Sequence, residues 1–132
     1  MGTMLLGAAA AVLEPISLIL IVVGVGAGIL VGALPGLTAT MAIALLVPFT
    51  FGMSPVHGLV LLGAIYSGAI YGGSFSAILI NTPGTPSAIA TTFDGFPMAQ
   101  KGEAYRAIIT ATIASVVGGI IGVLFLRFLS PP

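Results

Sequence analysis

Charged residues are nearly absent from this sequence. Only 5% of its 132 residues are charged, whereas soluble domains carry roughly 25%, so a soluble globular protein is excluded. The sequence also has no Trp and no basic run, which argues against nucleic acid as a partner. It has no Cys, so cysteine usage gives no information about the redox compartment.

The sequence also lacks the residue arrangements that are typical of enzymes. It contains no nucleophile beside a base, no metal-ligand spacing and no phosphate-binding loop. His57 and Asp94 stand alone. We expect His57 to be a polar interface residue close to Ser54, with a proton relay as the alternative, and Asp94 to belong to a turn. We therefore predict no enzymatic activity and no cofactor.

Apolar residues make up 58% of the sequence, and its mean hydropathy is +1.28. Because a spanning helix needs about 20 apolar residues, this composition predicts an all-α integral membrane protein with about three full transmembrane helices. Short broken or re-entrant half-helices complete the prediction, in a single membrane domain over residues 1–132. We expect spans at Ile16–Leu34, from Pro55 to about Tyr71, and from about Glu103 with an uncharged core at Ala107–Leu126.

Three local patterns refine this picture. Gly24, Gly28 and Gly32 recur every four residues and predict a face on which another helix packs closely. Met1–Val12 lacks the positive start of a secretory signal, so we expect an interfacial or frayed helix there. Arg106 is placed for a local ion pair with Glu103 at the start of the last helix.

The sequence LPGLT, residues 34–38, interrupts the apolar chain after the first span. Pro35 disfavours helical geometry at the residue before it, and Thr38 is suited to cap a second helix that runs to about Phe51. That helix would be about 21 Å long, and Pro48 should kink it or end it early. A half-helix that is met by another element therefore fits better than a lipid-exposed span, with a steep kinked crossing as the alternative. For the break itself, the alternative is a plain turn outside the membrane.

A second interruption, NTPGTPS at residues 81–87, lies between apolar pieces that we expect to be too short to cross. The first piece follows Gly72-Gly73-Ser74 and runs through Ile80. The second runs from Ser87 to Phe93 and is followed by a predicted turn at residues 93–97. Non-helical backbone inside hydrocarbon survives only when it is buried in protein or lines a wet cavity. This break therefore predicts a cavity or a partner, provided that it lies within the membrane.

The helix ends at the second break indicate its chemistry. Thr85 as N-cap and Pro86 at the first helical position would leave free amides near Ser87 and Ala88, and such amides attract anions. Carbonyls at the end of the preceding helix attract cations, so Asn81 and Gly84 are candidates for a cation site. The candidate substrate-binding residues are Asn81, Thr82, Pro83, Gly84, Thr85 and Ser87 in this break, and Pro35, Gly36 and Thr38 in the first.

A resemblance to a known family is carried by two runs and by the glycine-rich last helix. The runs are GALPGLTATMAIALLVPFTFGMSP and YSGAIYGGSFSAILINTPGTPSAIATTFDGFPMAQKGEA. They resemble the N-terminal portion of the large permease subunit of tripartite tricarboxylate transporters, and the resemblance covers most of the chain. It implies a multi-pass secondary transporter of the bacterial inner membrane for tricarboxylates or related carboxylates. It further implies an extracytoplasmic solute-binding protein and a small membrane subunit as partners, and a sodium or proton gradient as the driving force.

Members of that family are several times longer than this chain. We therefore expect a part of a larger permease, which needs the remaining permease helices or self-association to enclose a substrate path. Two other functions are alternatives. One is a non-transporting membrane module whose glycine faces drive helix association. The other is a small oligomeric channel lined by Tyr66, Tyr71, Ser74 and Ser76.

Overall fold

The computed structural model describes residues 2–129, and every regular element in that range is helical. The elements are α1 (Gly2–Leu13), α2 (Pro15–Gly32), α3 (Ala39–Thr50), α4 (Pro55–Ile80), a single 3₁₀ turn (Pro86–Ala88), α5 (Ile89–Gln100) and α6 (Ala104–Leu129). Three of them, α2, α4 and α6, are long and apolar enough to cross a membrane. The predicted all-α membrane fold is therefore confirmed.

Helices α2 and α4 pack side by side and run in the same direction. Gly24 of α2 lies against Ala64 of α4, and Gly28, one turn later, lies against Gly68. Because the two numbers rise together, the helices are parallel. A methyl group on Gly28 would collide with the backbone carbonyl of Ile65. The prediction of a glycine face that allows close helix packing is confirmed.

Helix α3 returns the chain from the end of α2 to the start of α4. At its first turn, the Met41 amide donates a hydrogen bond to the Thr38 hydroxyl at 3.3 Å, which is the predicted cap. At its other end, Thr50 lies beside Gly58 in the first turns of α4. Because α2 and α4 are parallel, the start of α4 lies at the same end as the start of α2. Helix α3 with its flanking turns therefore returns the chain over the full length of α2, which favours a crossing over a half-helix. Pro48 lies inside α3, which ends at Thr50.

The apolar core lies between these three helices. Ala39 and Ala42 of α3 pack with Leu61, Ile65 and Ala69 of α4. The small alanine side chains let α3 approach α4 closely, so a 12-residue helix is held firmly. This packing uses one face of α4 and leaves another face free for the elements that follow.

The end of α4 differs from its prediction. The sequence predicts an end near Tyr71, whereas the helix continues through Gly72 and Gly73 to Ile80. The prediction is wrong because these glycines allow close packing and do not end the helix. A methyl group on Gly72 would lie 2.9 Å from the Cα atom of Ile29 in α2. The apolar piece before the second break is thus the last part of a 26-residue helix.

Residues 93–97, predicted to form a turn, lie within α5. Gly95 is buried because the end of α4 packs on it, and a methyl group there would lie 2.8 Å from Cγ1 of Ile78. Glycine is therefore needed at position 95 for helix packing and not for turn geometry, so the prediction of a turn is wrong. The chain turns instead between α5 and α6, where Gly102 has a φ of +81°.

Helix α6 packs on the rest of the chain only near its start. Ala107 is buried, whereas the residues from 113 onward are exposed. Just before the helix, Oε1 of Glu103 accepts a hydrogen bond from Nη1 of Arg106 at 2.9 Å, which confirms the predicted local ion pair. The second half of α6 therefore projects an apolar surface that the described chain does not cover.

Helix α1 occupies most of the segment predicted as an interfacial or frayed helix, with Met1 outside the described residues. It is joined to α2 by the buried Ser17, whose hydroxyl donates to the Ala11 carbonyl at 2.7 Å. A helix at this position is confirmed, and its relation to a membrane surface stays a prediction.

Candidate functional site

The second break begins with a residue in the left-handed region. Asn81 follows α4 with a φ of 56° and a ψ of 25°, a conformation that Asn adopts more readily than most side chains. The backbone amide of Asn81 donates to the carbonyl of Ser76. The same carbonyl also accepts from the backbone amide of Thr82 at 3.3 Å. These bonds end α4 and turn the chain back. Asn81 and Thr82 are both exposed.

After this turn the chain runs back along α4 toward the end of α2. A methyl group on Gly73 of α4 would lie 2.8 Å from the Thr85 hydroxyl oxygen. Gly84 lies against Gly32, the last residue of α2. A methyl group on Gly84 would collide with the carbonyl oxygen of Gly32 and would lie 3.3 Å from the hydroxyl of Ser76. Thr85 is only 5% exposed. The middle of the break, Gly84 and Thr85, is therefore non-helical backbone enclosed by two helices.

Thr85 occupies the predicted capping position but makes a different bond. Its backbone is extended, and its hydroxyl shares a hydrogen bond with the hydroxyl of Ser87 at 3.0 Å instead of accepting from a backbone amide. The amide of Ala88 donates to the Thr85 carbonyl at 3.0 Å. The expectation of a free amide at Ala88 is therefore wrong, because a 3₁₀ turn already uses it.

The first break is a turn between α2 and α3. Pro35 and Gly36 are exposed, and Gly36 has a φ of +90°, which favours glycine. A methyl group on Gly36 would meet nothing within 4 Å. Thr38 caps α3, as predicted. The contact between α2 and the second break is thus made by Gly32, and Gly36 lies apart from it.

A groove of about 760 Å³ opens beside the second break, between α4 and α6. Its walls carry hydroxyl groups from three parts of the chain: Tyr66, Ser67, Tyr71 and Ser74 of α4, Ser87 and Thr91 near the start of α5, and Thr112 and Ser115 of α6. No charged residue lines it. The hydroxyls of Tyr71 and Thr112 hydrogen-bond at 2.5 Å and join the two walls.

Sequence reasoning found only part of this groove. Three residues of the predicted channel line it, namely Tyr66, Tyr71 and Ser74, whereas Ser76 is buried at the break. The residues that were missed are Ser67, Thr91, Thr112 and Ser115. Ser67 lies on the same face of α4 as Tyr71 and Ser74, so helical spacing could have identified it. No spacing connects the other three with α4, because they come together only in the fold.

The two isolated ionisable residues lie away from the groove. The amide of His57 donates to the Ser54 hydroxyl at 3.3 Å, and its Nε2 atom is 3.6 Å from Oε2 of Glu14. His57 thus joins the start of α4 to the start of α2, as expected of an interface residue. Asp94 is exposed on α5. Within residues 2–129, no group of three or more His, Asp or Glu side chains is placed to hold a metal ion.

Apolar helices that enclose a non-helical, polar segment are characteristic of membrane transport proteins. The chain belongs to the tripartite tricarboxylate transporter TctA family, which it matches over residues 18–132. This is a transporter family, so the resemblance and the non-enzymatic function predicted from the sequence are both confirmed. The chain is a membrane protein.

One relative comes from Agrobacterium vitis and is described as "Uncharacterized 52.8 kDa protein in TAR-I ttuC' 3'region". It is 48% identical to this chain over 120 residues, which are 91% of this chain and 24% of the relative. The chain therefore spans about a quarter of the length of that relative. No solved structure matches the chain.

Proposed function

We propose that this chain forms the part of a carboxylate permease in which the substrate binds at a break between helices. The observation that carries the proposal is the burial of Gly84 and Thr85 between α4 and the end of α2. Backbone without helical bonds is stable in a membrane only where protein or water satisfies it. Membership of a transporter family supports transport as the reason for such a segment.

The side chains at the second break suit carboxylates, and tricarboxylates are the substrate class of the family. Asn81, Thr82 and Ser87 are exposed and supply neutral donors, and the buried Thr85 is bonded to Ser87. The amides of Ala88 and Ile89 are already used by the 3₁₀ turn before α5, so the proposed anion contacts are made by side chains. Pro83 and Gly84 set the path of the backbone. Neutral donors hold an anion without a fixed opposite charge, which is compatible with release.

We include the first break in the proposed site because it follows the end of α2, which contacts the second break. Pro35, Gly36 and Thr38 follow the end of α2, and Gly32 at that end contacts Gly84 of the second break. Carbonyls at a helix C-terminus attract cations. We therefore place a coupling cation, sodium or proton, near Asn81 and Gly84, where α2 and α4 both end.

The remaining elements of the proposal follow from the family. The protein acts as a multi-pass component of the bacterial inner membrane. It receives the carboxylate from an extracytoplasmic solute-binding protein, works with a small membrane subunit, and uses a cation gradient. Further permease helices, or further copies of the chain, complete the substrate path.

The test is thiol labelling in the full-length permease with its partners, in a background without other cysteines. Asn81→Cys and Thr82→Cys should react with a water-soluble thiol reagent, and citrate should protect both. Lys101→Cys is the matched control, because Lys101 is exposed in the turn between α5 and α6. It should react without protection. Complexes that take up citrate but show no protection at Asn81 or Thr82 would contradict the proposed site.

A second candidate, a membrane assembly module, is favoured by one observation. Gly118, Gly119 and Gly122 lie on α6, and a methyl group on any of them would meet nothing within 4 Å. Glycines at such spacing are typical of helix interfaces in membranes. Protection of Asn81→Cys and Thr82→Cys by citrate would exclude a purely structural module, whereas saturable uptake that depends on the cation gradient would exclude an open channel.

A further inference from the structure

The groove between α4 and α6 shares only Ser87 with the residues of the site proposed above. Ser67 of α4 and Ser115 of α6 are exposed on its walls, and Ser74 is half-buried between them and the break. All three lie within helices that are long and apolar enough to cross a membrane. Lipid tails cannot hydrogen-bond to hydroxyl groups. Such hydroxyls either bond to a carbonyl of their own helix, as Thr112 does with Ile108, or face water or a polar ligand.

Ser87 connects the groove to the break. It lines the groove, and its hydroxyl shares a hydrogen bond with the hydroxyl of the buried Thr85 at 3.0 Å. Thr85 in turn lies against Gly73 of α4. Polar groups therefore continue from the groove wall into the enclosed part of the break, and the two features form one polar surface.

The size and charge of the groove fit a small carboxylate. Its volume of about 760 Å³ lies within the roughly 300–1,000 Å³ of small-molecule sites. Its polar groups are hydroxyls, which donate hydrogen bonds to carboxylate oxygens, and no acidic side chain lines it to repel an anion. No Lys or Arg lines it either, so an anion is not trapped there by a fixed charge.

We propose that this groove is the passage through which the carboxylate reaches the second break, with Ser67, Ser74 and Ser115 as successive hydrogen-bond donors. The inference rests on the proposed function, because it supplies the path to that same site. The hydrogen bond between Tyr71 and Thr112 joins the two walls of the passage. It has to open when a substrate moves past it.

Two cysteine variants on one helix test the passage. Ser115 lines the groove, whereas Val117, two positions further, is 50% exposed but does not line it. In full-length permease with its partners, a membrane-impermeant thiol reagent should modify Ser115→Cys about tenfold faster than Val117→Cys, because the reactive thiolate forms only in water. Citrate should slow the reaction at Ser115→Cys and leave that at Val117→Cys unchanged.

A second measurement covers the case in which a cysteine disturbs the fold. Ser67→Ala and Ser115→Ala remove one hydroxyl each, and their combination should raise the KM for citrate uptake about tenfold. Two results would overturn the passage but leave the proposed function in place: an unchanged KM, or equal labelling rates at the two cysteines. Either result counts in complexes that take up citrate and in which citrate protects Thr82→Cys. Absence of citrate uptake by the unmodified complex would instead overturn the proposed function.

Discussion

The hydroxyl of Thr85 lies where Gly73 of α4 leaves room for it, since a methyl group on Gly73 would stand 2.8 Å from the Thr85 oxygen. The absence of a side chain on one helix thus determines where the returning chain is placed. The same holds one step earlier, where Gly84 lies against Gly32. The second break is positioned by glycine contacts on both of the helices that enclose it.

The first prediction concerns Gly73→Ala. The added methyl group should push Thr85 out of its place and destabilise the fold by about 1–3 kcal/mol, the usual range for overpacking. We expect reduced citrate uptake by the full-length permease, measured per molecule inserted in the membrane. Gly63→Ala on the same helix is the control, because a methyl group there would meet nothing within 4 Å. Equal uptake by the two variants would contradict the placement of Thr85.

A second pair of variants tests the parallel packing of α2 and α4. Gly28→Ala should be strongly destabilising, because its methyl group would collide with the Ile65 carbonyl, and backbone cannot move aside as a flexible side chain can. Gly26→Ala, on the same helix with open space around it, should be neutral or raise stability by up to about 1 kcal/mol. The measurement is the thermal unfolding midpoint in detergent. A similar midpoint for both variants would show that this face is not packed on α4.

The contact between α4 and α6 is tested by Tyr71→Phe. This change keeps the ring, which packs edge-on against Phe75 with centroids 5.2 Å apart, and removes only the bond to Thr112. We expect a loss of about 0.5–1.5 kcal/mol in the free energy of unfolding and faster amide exchange in the first half of α6. The control is Tyr66→Phe, since Tyr66 is 46% exposed in the same groove. Indistinguishable exchange in the two variants would argue against this bond.

The role of His57 is tested by His57→Gln. In the pair of His57 with Glu14, the Glu14 side chain is 57% exposed. Pairs exposed to solvent contribute about 0–1 kcal/mol to the free energy of unfolding. We expect little change in stability and an unchanged pH profile of citrate uptake. A shift of that profile would support the alternative, in which His57 relays protons.

Local chemistry made most helix starts predictable. Thr38 caps α3, and Ser54 with Pro55 starts α4, because a hydroxyl and a first-turn proline act on the backbone beside them. The glycine face of α2 was also visible as a spacing of four. These signals need no knowledge of the rest of the fold, which is why they could be read in advance.

The errors arose where the meaning of a glycine depends on its neighbours in space. Gly72 and Gly95 look like helix ends in the sequence, but each is the point at which another element packs closely. The groove was only partly predictable for the same reason. Its α4 wall follows from helical spacing, whereas Thr112 and Ser115 join it only because α6 folds back beside α4.

The close approach of α2 to α4 has a mechanical consequence. Helices in contact along their backbones cannot slide or rotate past each other without collision, so α2 and α4 move as one rigid body. The second break is anchored to both and travels with them. Helix α6 contacts the described chain near its start and through the hydrogen bond between Thr112 and Tyr71, so it stands outside that rigid pair.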